Sequence, residues 1–326
     1  MLRPFDRLRE RTVAQGALDR AEWAGLGACA RMGVMPEGDT VWRACQRLHA
    51  VLAGRAFNRT EFRVPTLATT DLAGVQVSEV VSRGKHQLFR LGNGYTLHSH
   101  FRMDGSWRIY PRGQKWTGGP AFQIRAVLAT EEHDVVGYQL PVLELVPTAD
   151  EDGMVGHLGP DLLGPDWDVE AAAERIRRQP GRTIGEALLD QRNLAGIGTF
   201  YRAELLFLQG LHPRRPVAEV KDLSRLLRRA HQLLFANRWR TEQSTTGRLR
   251  SADRAYVFER AGQPCRRCGT RIRTEEFGPS TQERRSYWCP RCQPATEVVP
   301  VGAQPPSEGR TREDPSPTAS KLLDGQ

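Results

Sequence analysis

The chain has 326 residues, 39% of them hydrophobic, enough to build two domains of ordinary size with a core in each. Lys and Arg outnumber Asp and Glu by 47 to 38, and the resulting charge of +9 with a pI near 9.6 points to a polyanionic partner. No stretch approaches the roughly 20 uninterrupted apolar residues of a membrane-spanning helix, and Met1 to Arg11 holds no apolar run that would serve as a secretory signal, so a cytoplasmic protein without a membrane partner is expected.

Residues 1–34 mix Arg, Asp and Glu with small residues and lead into a second plausible start at Met35; they read as an extension. From Gly38 the pattern changes. Asp39 or Thr40 is placed to cap a helix in which Val41, Cys45, Leu48 and Leu52 recur at four- and three-residue steps, with Gly54 ending it. Between Arg55 and Leu163 lie short apolar and β-branched runs: Val75 to Val81, Gln87 to Leu91, Tyr95 to Ser99, Ala121 to Leu128 and Val142 to Val146. Short strands without a long helix between them predict a β-sandwich or barrel.

Leu158-Gly159-Pro160 and Gly164-Pro165 punctuate the chain, which sets a first domain at 35–165. Helical patterns then run from Val169 to Arg178, Ile184 to Leu189, Thr199 to Leu208 and Leu223 to Phe235, within a second domain at 166–256. A cysteine-bearing module occupies 257–293. The remainder, 294–326, is rich in Pro, Ser, Thr, Glu and Gly, has few large apolar residues to offset the entropy of ordering, and reads as a disordered tail.

Cys265-Arg266-Arg267-Cys268 and Cys289-Pro290-Arg291-Cys292, 20 residues apart, match the four-thiolate spacing of a structural zinc ribbon. Four sulfurs fill the tetrahedron of one Zn2+ and leave no open position, which excludes a zinc-dependent hydrolase. Function therefore rests on what the finger presents. Arg271, Arg273, Arg284 and Arg285 lie between the pairs, and a planar guanidinium suits phosphate, although a solvated basic face would look the same from charge alone. Between two helical patterns, Asn193-Leu194-Ala195-Gly196-Ile197-Gly198-Thr199 forms a glycine-rich turn whose backbone amides, with Asn193, are candidates for binding a phosphate at a helix N-terminus.

Four motifs stand in order: Pro36-Glu37-Gly38-Asp39-Thr40, Arg83-Gly84-Lys85-His86, Asn193-Leu194-Ala195-Gly196-Ile197-Gly198, and the four-cysteine finger. In these the sequence from Met35 to Gln293 resembles the Fpg/Nei DNA glycosylases, most closely the endonuclease VIII branch found in actinobacteria. The resemblance implies an α+β multidomain fold: an N-terminal β-sandwich with an opening helix, a helical domain with a helix-two-turn-helix, and a C-terminal zinc-finger β-hairpin. DNA would lie in the basic cleft between the halves.

It further implies that the mature chain begins at Pro36, whose secondary amine attacks the sugar, with residues 1–34 absent. Glu37 is then the candidate for proton transfers at the sugar. Lys85, Asn193 and an arginine of the finger would hold the DNA backbone, with Gly196 and Gly198 shaping the turn. Counting back from Cys289 selects Arg284, with Arg285 its neighbour and alternative. Met103, between Arg102 and Asp104, occupies the loop whose apolar wedge fills the gap left by the extruded nucleotide. His98 and His100 read as structural histidines. Thr199 stands where many relatives have asparagine.

The expected function is a bifunctional glycosylase and lyase of base excision repair, monomeric, acting on damaged DNA, duplex or single-stranded, and nucleoid-associated when bound. Oxidised pyrimidines are the expected lesions, with oxidised purines second. The rival is a non-catalytic zinc-finger DNA-binding protein of the same fold, because an amide nitrogen at Pro36 has no nucleophilic lone pair.

Overall fold

The computed structural model describes residues 36–248, 250–277 and 284–295; the extension, the end of the finger hairpin and all but the first two residues of the expected tail lie outside the described residues. Helix α1 (Gly38–Leu52) opens the fold. Val41, Cys45, Leu48 and Leu52 are buried along one stripe as their spacing requires, and each fully buried aliphatic side chain contributes about 1.5–3 kcal/mol. The helix begins two residues earlier than its sequence suggests. Its N-cap is Glu37, and Asp39 lies inside the first turn.

Two four-stranded antiparallel sheets follow. One has the order β1 (Arg59–Phe62), β6 (Ile124–Ala129), β7 (His133–Tyr138), β5 (Ser106–Pro111); the other has the order β2 (Val77–Arg83), β3 (His86–Leu91), β4 (Tyr95–His100), β8 (Val142–Pro147). Their facing sides share one core with α1, in which Phe62, Ala126, Leu128 and Val135 meet Val80, Phe89, Leu97 and Leu143. On β6 the period of two is clear: Ala126 and Leu128 point into this core, while Val127 joins Tyr110, Val136 and Tyr138 on the opposite face. The sequence of β7 is buried on both faces, which is why no alternation marks it. The Ala121 to Leu128 run begins as a short 3-10 turn, and only its second half is strand.

The helical half contains α3 (Val169–Arg177), α4 (Ile184–Leu189), α5 (Thr199–Gln209) and α6 (Leu223–Asn237), preceded by the short α2 (Glu151–Val155). Asp168, Thr183 and Asp222 cap α3, α4 and α6 with their own side chains. By contrast, α5 has Gly198 at its N-cap and no local side-chain cap. A second core built around Phe200, Leu205, Phe207, Leu226 and Leu234 extends to Cys265 and Tyr287 of the finger, where β9 (Arg273–Phe277) pairs antiparallel with β10 (Arg284–Trp288). Leu88 on the outer side of β3 packs with Val155, Leu158 and Ala195, so the turn before α5 sits directly on the β2–β3–β4–β8 sheet.

Candidate active site and DNA interface

The missing cap of α5 comes from the far end of the chain. Glu37 is 1% exposed, and its Oε2 accepts from Gly198 N at 2.7 Å while Oε1 accepts from Phe200 N at 2.7 Å. Tyr201 N approaches Oε2 at 3.4 Å. A carboxylate at a helix N-terminus satisfies orphan amides and meets the positive end of the helix dipole. Burial works the other way. Desolvation lifts the Glu37 carboxyl to about 7, against the attraction of Lys85 and the two backbone hydrogen bonds. A group poised there gives and takes protons near neutrality.

Three of the four sequence motifs meet at this point, and their glycines explain how. Gly38 N donates to Gly196 O at 2.8 Å, and a Cβ on Gly38 would lie 2.9 Å from Gly196 Cα. A Cβ on Gly198 would fall 2.6 Å from Glu37 Cδ. Gly84, with φ +58°, turns β2 into β3, and its N–H donates to the buried Asp161 Oδ2 at 2.7 Å. That turn delivers Lys85, whose Nζ donates to Ile197 O at 2.5 Å, one residue from the Gly198 amide that holds Glu37. Pro36 is half-buried immediately before Glu37.

Within the glycine-rich turn, the N–H groups of Gly196 and Gly198 are both engaged inside the protein, by Gln191 Oε1 at 3.0 Å and by Glu37. Close approach of backbone to backbone is what these positions supply. Asn193 is half-buried and donates through Nδ2 to Ala187 O at 2.9 Å, tying the turn to the end of α4.

Met103 is 60% exposed at the tip of the β4–β5 turn, where Arg102 adopts φ +47°. A shallow depression beside it is lined by Arg102, Asp104, Arg125, Gln139 and Leu140. The histidines behind this tip are partnered: His98 Nε2 lies 2.8 Å from His86 Nδ1, and His100 Nδ1 accepts from Arg102 N at 2.9 Å. Burial, reinforced by neighbouring positive groups, depresses His86 to about 3 and His100 to about 4, so both are neutral at physiological pH.

In the finger, the sulfurs of Cys265, Cys268, Cys289 and Cys292 all lie within 4.8 Å of one another. The Cys265–Cys292 and Cys268–Cys289 separations are 3.9 and 3.4 Å, close to the roughly 3.8 Å edge of a tetrahedron with Zn–S of about 2.3 Å. The four residues fit a structural zinc ion. Arg285 is exposed on β10, and its carbonyl accepts from Arg202 Nη2 at 2.9 Å. Arg284 pairs with Phe277 in the hairpin, and its side chain lies outside the described residues.

Sequence reasoning missed the buried groups that assemble these parts. Glu204 on α5 accepts the backbone N–H groups of Tyr256, Val257 and Phe258 at 2.8–2.9 Å and the Thr245 hydroxyl, fastening the segment that leads into the finger. Arg202, one of the largest fully buried side chains, reaches the finger strand. Asp161 holds the Gly84 turn. Their only sequence signal was a charged residue in an otherwise apolar helix or a turn.

The chain matches the formamidopyrimidine-DNA glycosylase N-terminal domain over residues 35–139, the formamidopyrimidine-DNA glycosylase H2TH domain over 158–245, and the zinc finger found in FPG and IleRS over 262–295. It is 54% identical over 270 residues to the probable endonuclease 8 2 of Streptomyces coelicolor, a match spanning 82% of this chain and 97% of that protein. It is 44% identical over 262 residues to the DNA-(apurinic or apyrimidinic site) lyase Nei2 of Mycolicibacterium smegmatis, spanning 80% of this chain and 100% of that protein. The fold is that of Lactococcus lactis formamidopyrimidine-DNA glycosylase solved non-covalently bound to DNA with an AP site, with TM-score 0.67 at 22% identity over 79% of this chain and 100% of that one.

Sandwich, interlocked turns and finger thus define a DNA-repair glycosylase. The chain belongs to the Fpg/Nei family, beside its actinobacterial endonuclease VIII members. It is a DNA glycosylase and AP lyase of base excision repair with one structural zinc, and its partner is DNA. Among the described residues no helix is long and apolar enough to cross a membrane.

Proposed function

We propose that the secondary amine of Pro36, free at the N-terminus of the mature chain, is the nucleophile, and that Glu37 carries the protons. The buried carboxyl beside Pro36, held between α5 and Lys85 and lifted to about 7, is the observation that carries this reading. An α-amine has a pKa near 8, so an appreciable neutral fraction exists at physiological pH. On damaged DNA it attacks C1′ and expels the base. At an abasic site it adds to the C1′ aldehyde, and a proton from Glu37 lets the hydroxyl leave as water, giving an iminium. Loss of the C2′ proton then sends the electron pair to break the C3′–O bond and release the 3′ phosphate. Loss of the C4′ proton breaks the C5′–O bond in turn.

Lys85, Asn193 and Arg284, with Arg285 as the alternative, hold the phosphates, and Met103 fills the vacated stack. Lesions are oxidised pyrimidines such as thymine glycol and dihydrouracil, in duplex or single-stranded DNA. The enzyme works as a cytoplasmic monomer at the nucleoid.

Residues 1–34 are then absent from the active form because translation starts at Met35 and the methionine is removed. The family match beginning at residue 35 supports this. The test compares a chain started at Met35 with a long form in which Met35→Ala blocks the internal start. The first forms a borohydride-trapped adduct with abasic DNA and carries Pro36 at its N-terminus by mass spectrometry; the second binds without trapping. Equal trapping by a verified uncut long form would assign the chemistry to another amine. A panel of oxidised pyrimidines and purines in each strand context fixes the lesion class.

A further inference from the structure

A second buried carboxylate shares the first turn of α1 with Glu37. Asp39 is 3% exposed; its Oδ2 accepts from the Tyr201 hydroxyl at 2.7 Å and its Oδ1 from Gln243 Nε2 at 2.9 Å. A side-chain amide nitrogen only donates, and with Tyr201 donating as well, both Asp39 oxygens act as acceptors, the pattern of an ionised carboxylate. Tyr201 also links the two acids. Its hydroxyl serves Asp39 while its backbone N–H is directed at Glu37. Asp39 further ties α1 to the segment after α6, where Arg43 Nη2 reaches Thr241 O at 3.4 Å.

We propose that Asp39 is a positioning residue for the proton chemistry at Pro36: its buried negative charge, clamped by Tyr201 and Gln243, makes Glu37 the acid of the pair. The proposal rests on the reading of Pro36 and Glu37 given above. Two neighbouring carboxyl groups in different surroundings divide into one that stays charged and one that holds the proton. The groups around them set the balance. After desolvation and Lys85, the charge of Asp39 is the next influence on Glu37, and it raises it. Lys85 from the β2–β3 turn acts against it, and the α5 amides of Gly198 and Phe200 favour the charged form. Burial raises the Asp39 carboxyl as well, and Tyr201, Gln243, the Thr40 amide and Arg43 around it all act against that by favouring its charge, with Arg240 acting on Tyr201. Glu37 thus has one cation and the helix amides drawing its proton off, and burial together with Asp39 holding it on.

The test reads Glu37 directly. The infrared carbonyl band of its protonated carboxyl, identified by its loss in Glu37→Gln, is followed against pH in the Met35-started protein and in Asp39→Asn. Expected is a midpoint near 7 in the parent and a fall of about one pH unit in Asp39→Asn. Tyr201→Phe weakens the hold on the Asp39 charge and moves the midpoint the same way by less, which keeps the test open where Asp39→Asn fails to fold. A purely structural role lowers abasic-site cleavage equally at every pH and leaves the midpoint in place in both variants; that result overturns the assignment. Borohydride trapping of the parent separates the two failures. A parent that does not trap at Pro36 removes the underlying reading, whereas a parent that traps, with variants that leave Glu37 unmoved, removes only the role of Asp39.

Discussion

Gly198 donates its N–H to Glu37 Oε2 at 2.7 Å across 161 residues of chain, and no side chain fits at Gly198 while that bond stands. The contact joins the opening of α1 to the N-terminus of α5. Gly198→Ala would drive a methyl group to 2.6 Å from Glu37 Cδ, so the Glu37 carboxyl must leave its seat on the α5 amides. Abasic-site cleavage is expected to fall at least about 100-fold, the scale of an ångström-level misplacement. Single-turnover kinetics measure it, and cleavage within threefold of the parent would show that the site tolerates the displacement.

Glu37 also makes stability depend on pH. A carboxyl raised in the folded state is protonated in both folded and unfolded chains below about pH 4, where it costs nothing. As pH rises the unfolded chain ionises first, so stability is lost until pH has passed the folded value of about 7. The loss is on the order of 3 kcal/mol for a group this buried. Denaturant titrations of parent and Glu37→Gln across that window should show the parent losing stability relative to the variant. Parallel curves would mean that the folded state does not hold the proton.

Removal of zinc should loosen the finger before the rest of the molecule. The hairpin's Cys265 and Cys289 are buried in the helical core, so Cys265→Ser leaves three ligands and a hydroxyl where a thiolate belonged. Metal analysis should return one zinc per parent chain, with less zinc and weaker DNA affinity in the variant. Unchanged affinity in a zinc-free variant would contradict a DNA-facing role for the finger.

The phosphate contacts proposed for Lys85 and Arg284 carry a salt signature. Lys85→Ala and Arg284→Ala should each weaken binding and reduce the slope of log affinity against log salt by about one. Lys85→Ala also removes the hydrogen bond to Ile197 O, so its loss of affinity should be accompanied by slower cleavage. A larger defect in Arg285→Ala than in Arg284→Ala would move the finger register by one residue.

The parts of the site that sequence made legible are those whose chemistry is local. The paired cysteines declare themselves by residue type and spacing and the stripe of α1 by its period, whereas Pro36-Glu37 and Lys85 stand out only through the resemblance carried by four motifs in order. Strand β7 escaped because both of its faces are buried, and the short β1 and the α2 segment with its Gly153 offered no repeating signal. Asp39 illustrates the deeper limit. As a sequence symbol it is a helix cap; in three dimensions its partners Tyr201 and Gln243 lie 162 and 204 residues away. Long-range hydrogen bonds leave no periodic trace.

The capping of α5 by Glu37 has a consequence for the life of the chain. During synthesis the sandwich emerges before the helical half, with Glu37 at the start of α1 and the amides that seat it still to be made. Until Gly198–Tyr201 arrive, that carboxyl faces water and behaves as an ordinary surface acid. The raised, buried state of that carboxyl therefore appears only when the helical half has been made and has closed upon it.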